Sequence, residues 1–467
     1  MLEVSASLRF KLWMSKVLDR YLSGEHLNYR QVIAIIIPLF FDQLFNGIIS
    51  MLNTAMISSS GTAAVAAVSM VDSLNVIMLN IFIGIATGGT VIVAQYYGAG
   101  KAESVTKAAA NAVAAVIFSA VIISIVLTGF HDSVLTLLFK SAEPDVFANA
   151  KIYLIGSALS YPFVSVIDAI SGVLRGIGNS KSYFWLSLIK NGSNLLFNII
   201  FLKIFNFGII GLILSIILSR FLGMCCAFIY IRLLNRQIVL HFRDLLKIDC
   251  KMLRRIMFIG IPSAGEQVFF NAGKLITQSF IVTMGTGALA INAICNSLMV
   301  LMETGGLGLS LAIVTVVGIS LGHGDYKSAK KYVRVFLILG SISVALTCLI
   351  MLPLLSPLIG FFSPEPQLLP EIMRICYICS VTTPLFWCLS FVSPAALRAA
   401  GDGRFVLVSS LISMWTLRVV LGYVLGIVFK LGILGVWLAM FIEWVLRGLM
   451  YNIRLMGKKW LSHKLID

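Results

Sequence analysis

Charged residues are scarce in this chain. They make up 12% of its 467 residues against 59% hydrophobic ones, at a mean hydropathy of +0.97. No soluble globular domain of that length tolerates such a composition, so the chain reads as a membrane protein. Other absences narrow the chemistry. The five histidines, at 26, 131, 241, 323 and 463, fall in loops or tails, and no HExxH, GxSxG or P-loop pattern occurs. A nucleophile–base set or metal ligands near the helices are therefore missing, and no enzyme is expected. Cys376 and Cys379 form a CxxC without the second Cys or His pair that a zinc or disulfide framework requires. They lie in an apolar run and read as small core residues, with no metal site expected. The net charge of +16 is not gathered into an aromatic-interleaved basic patch, which excludes a nucleic-acid partner.

What the chain does have is long apolar runs. Twelve segments of about 20 residues or more suit bilayer-spanning helices, with cores near 33–57, 63–96, 108–129, 151–174, 183–202, 208–231, 256–283, 288–321, 332–352, 373–397, 405–428 and 432–453. The runs are continuous rather than alternating, so a strand barrel is not expected. Residues 1–30 are basic and amphipathic, with Leu8, Leu12, Trp13, Val17 and Leu18 apolar among Arg9, Lys11, Lys16 and Arg20. That suits a helix lying on a membrane surface, or a frayed tail. Lys and Arg gather on the side shared by the N-terminus, the even loops and the C-terminus. Lys140, Lys151, Lys203 and Lys430 stand on the other side. The positive-inside rule then predicts that both termini are cytoplasmic.

The chain is also internally repeated. Pro38, Asp42, Gln43 and Phe45 map onto Pro262, Glu266, Gln267 and Phe269 at one fixed offset of 224 positions. Ser73-Leu74, Gly84, Gly98 and Lys107 map onto Ser297-Leu298, Gly308, Gly322 and Lys331 at the same offset. Further on, Leu174-Arg175 meets Leu397-Arg398 at an offset of 223. The chain therefore divides into a basic N-terminus (1–30), a first lobe of six helices (31–231), a cytoplasmic linker (232–255), a second lobe of six (256–455) and a tail (456–467). Two halves of equal topology, related by an axis along the membrane normal, are frequent in secondary transporters.

Ionisable residues inside spans are costly and mark function. Asp42, Asn46, Ser50 and Asn53 fall on one face of the first span, and Ser187, Lys190, Asn191, Asn194 and Asn198 on one face of the fifth. The seventh carries Gln267, Asn271, Lys274 and Gln278, the eighth Asn292, Asn296 and Glu303, and the second and fourth add Asp72 and Asp168. Such stripes serve either hydrogen bonding between helices or a water-filled cavity. Four stripes with carboxylates favour a shared cavity, which Asp42 and Glu266 should face from opposite lobes. Asp168 and Lys190, equidistant from the Gly176–Lys181 loop, are expected to form a structural ion pair, and Arg220, Arg418 and the Glu443/Arg447 pair are read as structural too.

In order and spacing, "LNTAMISSSGTAAVAAVS", "GGTVIVAQYYGAGK", "LRGIGNSKSYFWLSLIKNGSNLLFNII", "IGIPSAGEQ" and "LRAAGDGR" resemble the multidrug and toxic compound extrusion (MATE) family. The resemblance covers residues 31 to 455. It implies an all-α bundle of twelve helices in two six-helix lobes set in a V, which exports amphipathic, often cationic compounds as Na+ or H+ flows in. It further implies a multi-pass protein of the cell membrane with a small organic substrate. The chain is expected to act as a monomer, with no cofactor beyond the coupling ion. Many members have an Asp in a V-D-T context on the first helix, where this chain reads Leu52-Asn53-Thr54. The fifth-helix pair of the family's cation site is present as Asn194 and Asn198. Some members carry a seventh-helix Glu where this chain has Phe270, and Glu266 lies one turn earlier.

From these residues the coupling set is expected to be Asp42, Asn53, Asn194, Asn198 and Glu266, with the coupling acid relocated to Asp42 or Glu266. The substrate cavity is expected to hold Asn46, Asp72, Asn271, Asn292, Asn296 and Glu303. Counted by sequence, the membrane carboxylates Asp42, Asp72, Asp168, Glu266 and Glu303 exceed Lys190 and Lys274, which favours cationic cargo. A lipid-linked oligosaccharide flippase of the wider superfamily is the alternative, and it calls for a strongly cationic cavity.

Overall fold

The computed structural model describes residues 15–57, 62–139, 144–235, 238 and 240–466. The expected surface residues Leu8, Leu12 and Trp13 and the side chain of Ser50 lie outside the described residues. Among the described residues, twelve long helices occupy the twelve apolar segments. The first six are α1 (Tyr29–Ile57), α2 (Thr62–Gly98), α3 (Ala102–Gly129), α4 (Pro144–Gly176), α5 (Ser180–Asn198, continued by a π turn Ile199–Ile204) and α6 (Gly208–Leu234). The rest are α7 (Cys250–Thr283), α8 (Thr286–Gly322), α9 (Tyr326–Gly360), α10 (Pro366–Ala399), α11 (Gly403–Val428) and α12 (Gly432–Met456). Ten are long and apolar enough to cross a membrane. The other two, α5 and α7, have the length but carry the polar stripes, and that is what lowers their hydropathy. The expected start of α4 at 151 is corrected to Pro144, and a short helix, His131–Phe139, follows α3 unforeseen. Both misplaced boundaries lie where polar residues hide a helical end from a hydropathy reading.

The halves pack alike. In the first, α1 lies on α5, α2 on α3 and α4, and α6 on α4 and α5; in the second, α7 lies on α11, α8 on α9 and α10, and α12 on α10 and α11. The turn before α6, with Asn206 at φ 53° and Gly208 at φ 55°, recurs before α12 as Lys430 at φ 57° and Gly432 at φ 60°. Gly fits such a left-handed turn because it has no Cβ.

Between halves, α2 meets α7 and α1 meets α8, with α2 against α8 at the centre. Without a hydrophobic drive in lipid, close backbone approach through small residues holds such surfaces together. A Cβ on Gly84 would lie 2.5 Å from Ala264 Cα, and one on Gly308 would lie 3.0 Å from Phe40 Cα. A Cβ on Gly98 would collide with the Ile319 carbonyl, and one on Gly322 with that of Gln95. Each contact is the other's image under the offset of 224. At this end Gln95 Nε2 donates to Ala399 O (2.8 Å) and Thr315 Oγ1 to Arg175 O (2.9 Å), so the halves are joined where α2, α4, α8 and α10 finish.

The segment before α1 is strapped to the second half. Lys331 Nζ donates to Ser23 O (2.6 Å), Tyr332 Oη to Leu27 O (3.0 Å) and Glu25 N to Ser328 Oγ (3.3 Å). The His26 ring stacks on His323 at 4.1 Å.

Candidate functional site

The polar stripes line cavities within each half and between them. In the first half α1, α2, α4, α5 and α6 enclose about 460 Å³ lined by Asn46, Asn53, Asp72, Tyr153, Asp168, Lys190, Asn191, Asn194, Asn198 and Arg220. Helical spacing puts the amides of α5 opposite those of α1, and they interlock. Asn53 Nδ2 donates to Asn194 Oδ1 (3.2 Å), Asn198 Nδ2 to Asn53 Oδ1 (3.0 Å) and Asn191 Nδ2 to Asn46 Oδ1 (2.6 Å). Asn198 Oδ1 is buried without a hydrogen-bond partner. Such an oxygen is costly to leave unmet and is a ready ligand for a cation or water. Asp72 accepts from Asn75 Nδ2 and Tyr153 Oη, each at 3.0 Å. Lys190 Nζ stands 4.0 Å from Asp168, so the expected pair is brought together, loosely.

The second half has two adjoining cavities. One, about 290 Å³, is walled by Phe270, Trp387, Phe391 and Trp444 and carries Glu266, Glu303, Lys274, Arg398, Arg418 and Arg447. The other, about 120 Å³, is lined by Lys274, Thr277, Gln278, Asn292, Asn296, Arg418, Val436, Trp437 and Met440 among others. Lys274, Arg418 and Arg447 all stand over the Phe270 ring, at 5.0, 5.6 and 5.3 Å. Glu443, fully buried on α12, bridges Arg447 (2.7 Å) and Arg418 (3.6 Å). A cleft of about 410 Å³ between halves is lined by Gln43, Asn46, Asn80, Asp168, Arg175, Tyr183 and Lys190 from the first and Leu307, Ser310 and Leu311 from the second.

Three expectations change. Asp42 and Glu266 share none of these four cavities. Asp42 is 1% exposed, accepts from Tyr183 Oη (2.7 Å) and Gln43 Nε2 (3.2 Å), and lines none of these four cavities, because Tyr183 of α5 covers it. Glu266 lines the aromatic cavity, tied to Arg398 at 2.7 Å. Asn271 donates back to Gln267 O on its own helix (2.8 Å) and lines none of them either. The charge count also changes. Arg220 joins Lys190 against Asp72 and Asp168 in the first half, and Arg398, Arg418 and Arg447 join Lys274 against Glu266 and Glu303 in the second. Arg398, known from the sequence as the repeat match of Arg175, reaches from the end of α10 to Glu266. The repeat held the signal, since Arg398 matches Arg175, which stands over the Tyr183 ring at 5.0 Å beside Asp42.

The MatE family model matches residues 38–200 and 262–424, so each match begins at the repeated proline. "Uncharacterized transporter YisQ" of Bacillus subtilis (strain 168) is 25% identical over 431 residues, 91% of this chain and 93% of that protein. "Probable multidrug resistance protein NorM" of Thermotoga maritima is 26% identical over 436 residues, 92% of this chain and 93% of that protein. A solved outward-facing multidrug resistance MATE family transporter of the MOP superfamily superposes at a TM-score of 0.85 with 16% identity, covering 92% of this chain and 96% of its own.

Proposed function

The chain belongs to the MatE family, and from that premise we propose that it is a secondary active antiporter of the cell membrane, with cytoplasmic termini, exporting amphipathic organic compounds in exchange for H+ or Na+. The observation that carries this reading is the set of polar cavities, one in the first helical half and two adjoining in the second, set within helices that cross the membrane. Relatives named as multidrug resistance proteins support the cargo class.

Coupling is assigned to the first-half cavity. Asn53 cannot take up and release a proton, and Asp42 is closed off by Tyr183. Asp72 remains as a carboxylate lining the cavity beside Asn53, Asn194 and Asn198. With the unpartnered Asn198 oxygen, this set offers one charge and neutral oxygens, which suits a hard cation or a proton. With Asp72 and Asp168 set against Lys190 and Arg220, the first-half cavity is balanced in charge and does not by itself select cationic cargo.

Efflux of a fluorescent organic compound from proteoliposomes, under separate Na+ and pH gradients, tests the reading. Asp72→Asn should abolish gradient-driven efflux while the protein keeps its melting temperature. Wild-type protein that moves no compound under either gradient would sink antiport, and a fully active Asp72→Asn variant would remove Asp72 from coupling.

A further inference from the structure

The first-half cavity and the smaller second-half cavity are the same place in two copies. Asn53, Asp72, Asn194, Leu212 and Ile216 line one, and the residues 224 positions later, Thr277, Asn296, Arg418, Val436 and Met440, line the other. Their apolar walls are conservatively matched, but the charge at the matched positions differs: the first-half cavity as a whole sets Asp72 and Asp168 against Lys190 and Arg220, whereas the charged liners of the second-half one are cations alone. Where the first half has Asp72, the second has the amide of Asn296. Where the first has the amide of Asn194, the second has the guanidinium of Arg418. Lys274, one turn before Thr277 on α7, adds a second cation, and no carboxylate is among the residues lining this cavity.

The cations there are incompletely neutralised. Glu443 lies behind the wall and serves two arginines, Arg447 at 2.7 Å and Arg418 at 3.6 Å. Lys274 Nζ stands over the Phe270 ring at 5.0 Å and shares the aromatic cavity with Glu303, so in this half Lys274, Arg398, Arg418 and Arg447 meet Glu266, Glu303 and Glu443, four cations against three carboxylates. Glu266, in the adjoining aromatic cavity, is taken by Arg398. An excess positive charge held at membrane depth is unfavourable, and an anionic ligand between Lys274 and Arg418 would relieve it. Neighbouring Trp387, Phe391 and Trp444 offer ring faces to an apolar body.

We infer that the second half binds an organic anion, an aromatic carboxylate whose carboxyl group lies between Lys274 and Arg418 and whose ring enters the adjoining aromatic cavity. This names a substrate class for the antiporter and rests on that reading, while binding itself needs no gradient.

The test is calorimetric binding to the purified full chain, with 2-naphthoate, 2-naphthylmethylammonium and inorganic pyrophosphate as probes. Naphthoate should bind saturably and roughly tenfold tighter than the matched cation, as expected for a charge-assisted contact. Lys274→Gln should weaken it by roughly tenfold. Asn296→Asp, which restores the carboxylate that Asp72 supplies in the other half, should reverse the preference between the two naphthyl probes. That variant keeps the size of the side chain but gives up the bonds that Asn296 Nδ2 donates to Asn292 O (2.8 Å) and Oδ1 (3.0 Å), so its melting temperature is read alongside to separate charge from lost structure. The proposal fails if the cation binds as tightly as naphthoate, if both variants leave naphthoate binding unchanged, or if pyrophosphate binds tighter than naphthoate. Intact naphthoate binding with no antiport in liposomes would sink the antiporter reading and leave the site standing.

Discussion

Removing one partner of the Glu266–Arg398 pair should cost more than replacing both. The side chains are 12% and 14% exposed at 2.7 Å, so either single change strands a charge away from water. Arg398→Gln should destabilise the protein by on the order of 3 kcal/mol, and the Glu266→Gln/Arg398→Gln double variant by clearly less. Thermal unfolding in detergent reads the difference, and a double variant that loses the sum of the two single losses would show that the pair is not coupled. Asp42 invites a milder experiment. Tyr183→Phe takes away its 2.7 Å donor and leaves Gln43, with an expected loss of about 1–3 kcal/mol and no block of either polar cavity. At this scale the sequence was only half legible. Periodicity identifies that an acid lies on a helix face, but a long arginine or a tyrosine from another helix decides whether that acid meets the cavity, and no spacing rule reports such reach. Asp42 and Glu266 were found as a repeated device for this reason, and their surroundings were not.

The helices themselves were legible because burial in lipid demands length and apolar character, and both are written in composition. α5 and α7 show the limit of that signal, since the residues that matter for the site are those that depress their hydropathy. Register inside helices was harder. Arg175 and Arg398 are 223 positions apart, yet the cavity residues Asn194 and Arg418 are 224 apart, so one extra residue is accommodated between them. α11 carries a π turn at Met414–Val420, a widened coil that takes up such a residue and turns Arg418 inward. The glycine contacts yield the element-scale prediction. Gly84→Val and Gly308→Val should weaken the union of the halves by similar amounts, about 1–3 kcal/mol each, because their surroundings are images of one another. Unequal melting losses would mean that the two contacts do not share one role.

For the whole molecule, the strap over α9 has a mechanical meaning. It fixes the chain just before α1, a helix of the first half, to α8–α9 of the second. Lys331→Met with Tyr332→Phe should loosen this end and raise the hydrogen exchange of residues 23–28, leaving the membrane helices protected. Unchanged exchange there would show that the strap is held by other contacts. The two-half plan was legible because a duplication leaves a constant offset that no local irregularity erases. The difference in charge between the matched cavity positions was not, because it needs liners from several helices to be superposed.

The mirrored glycine contacts have a consequence for ancestry. Gly84 against Ala264 and Gly308 against Phe40 are what two copies of one six-helix protein would make across a twofold axis, the self-complementary interface of a homodimer. In a homodimer both sites are read from one gene, and a codon for aspartate at position 72 would place it in both subunits. Joining the copies end to end gave each site its own codons. Asp72 in one half and Asn296 beside Arg418 in the other form a combination that a homodimer read from one gene cannot encode.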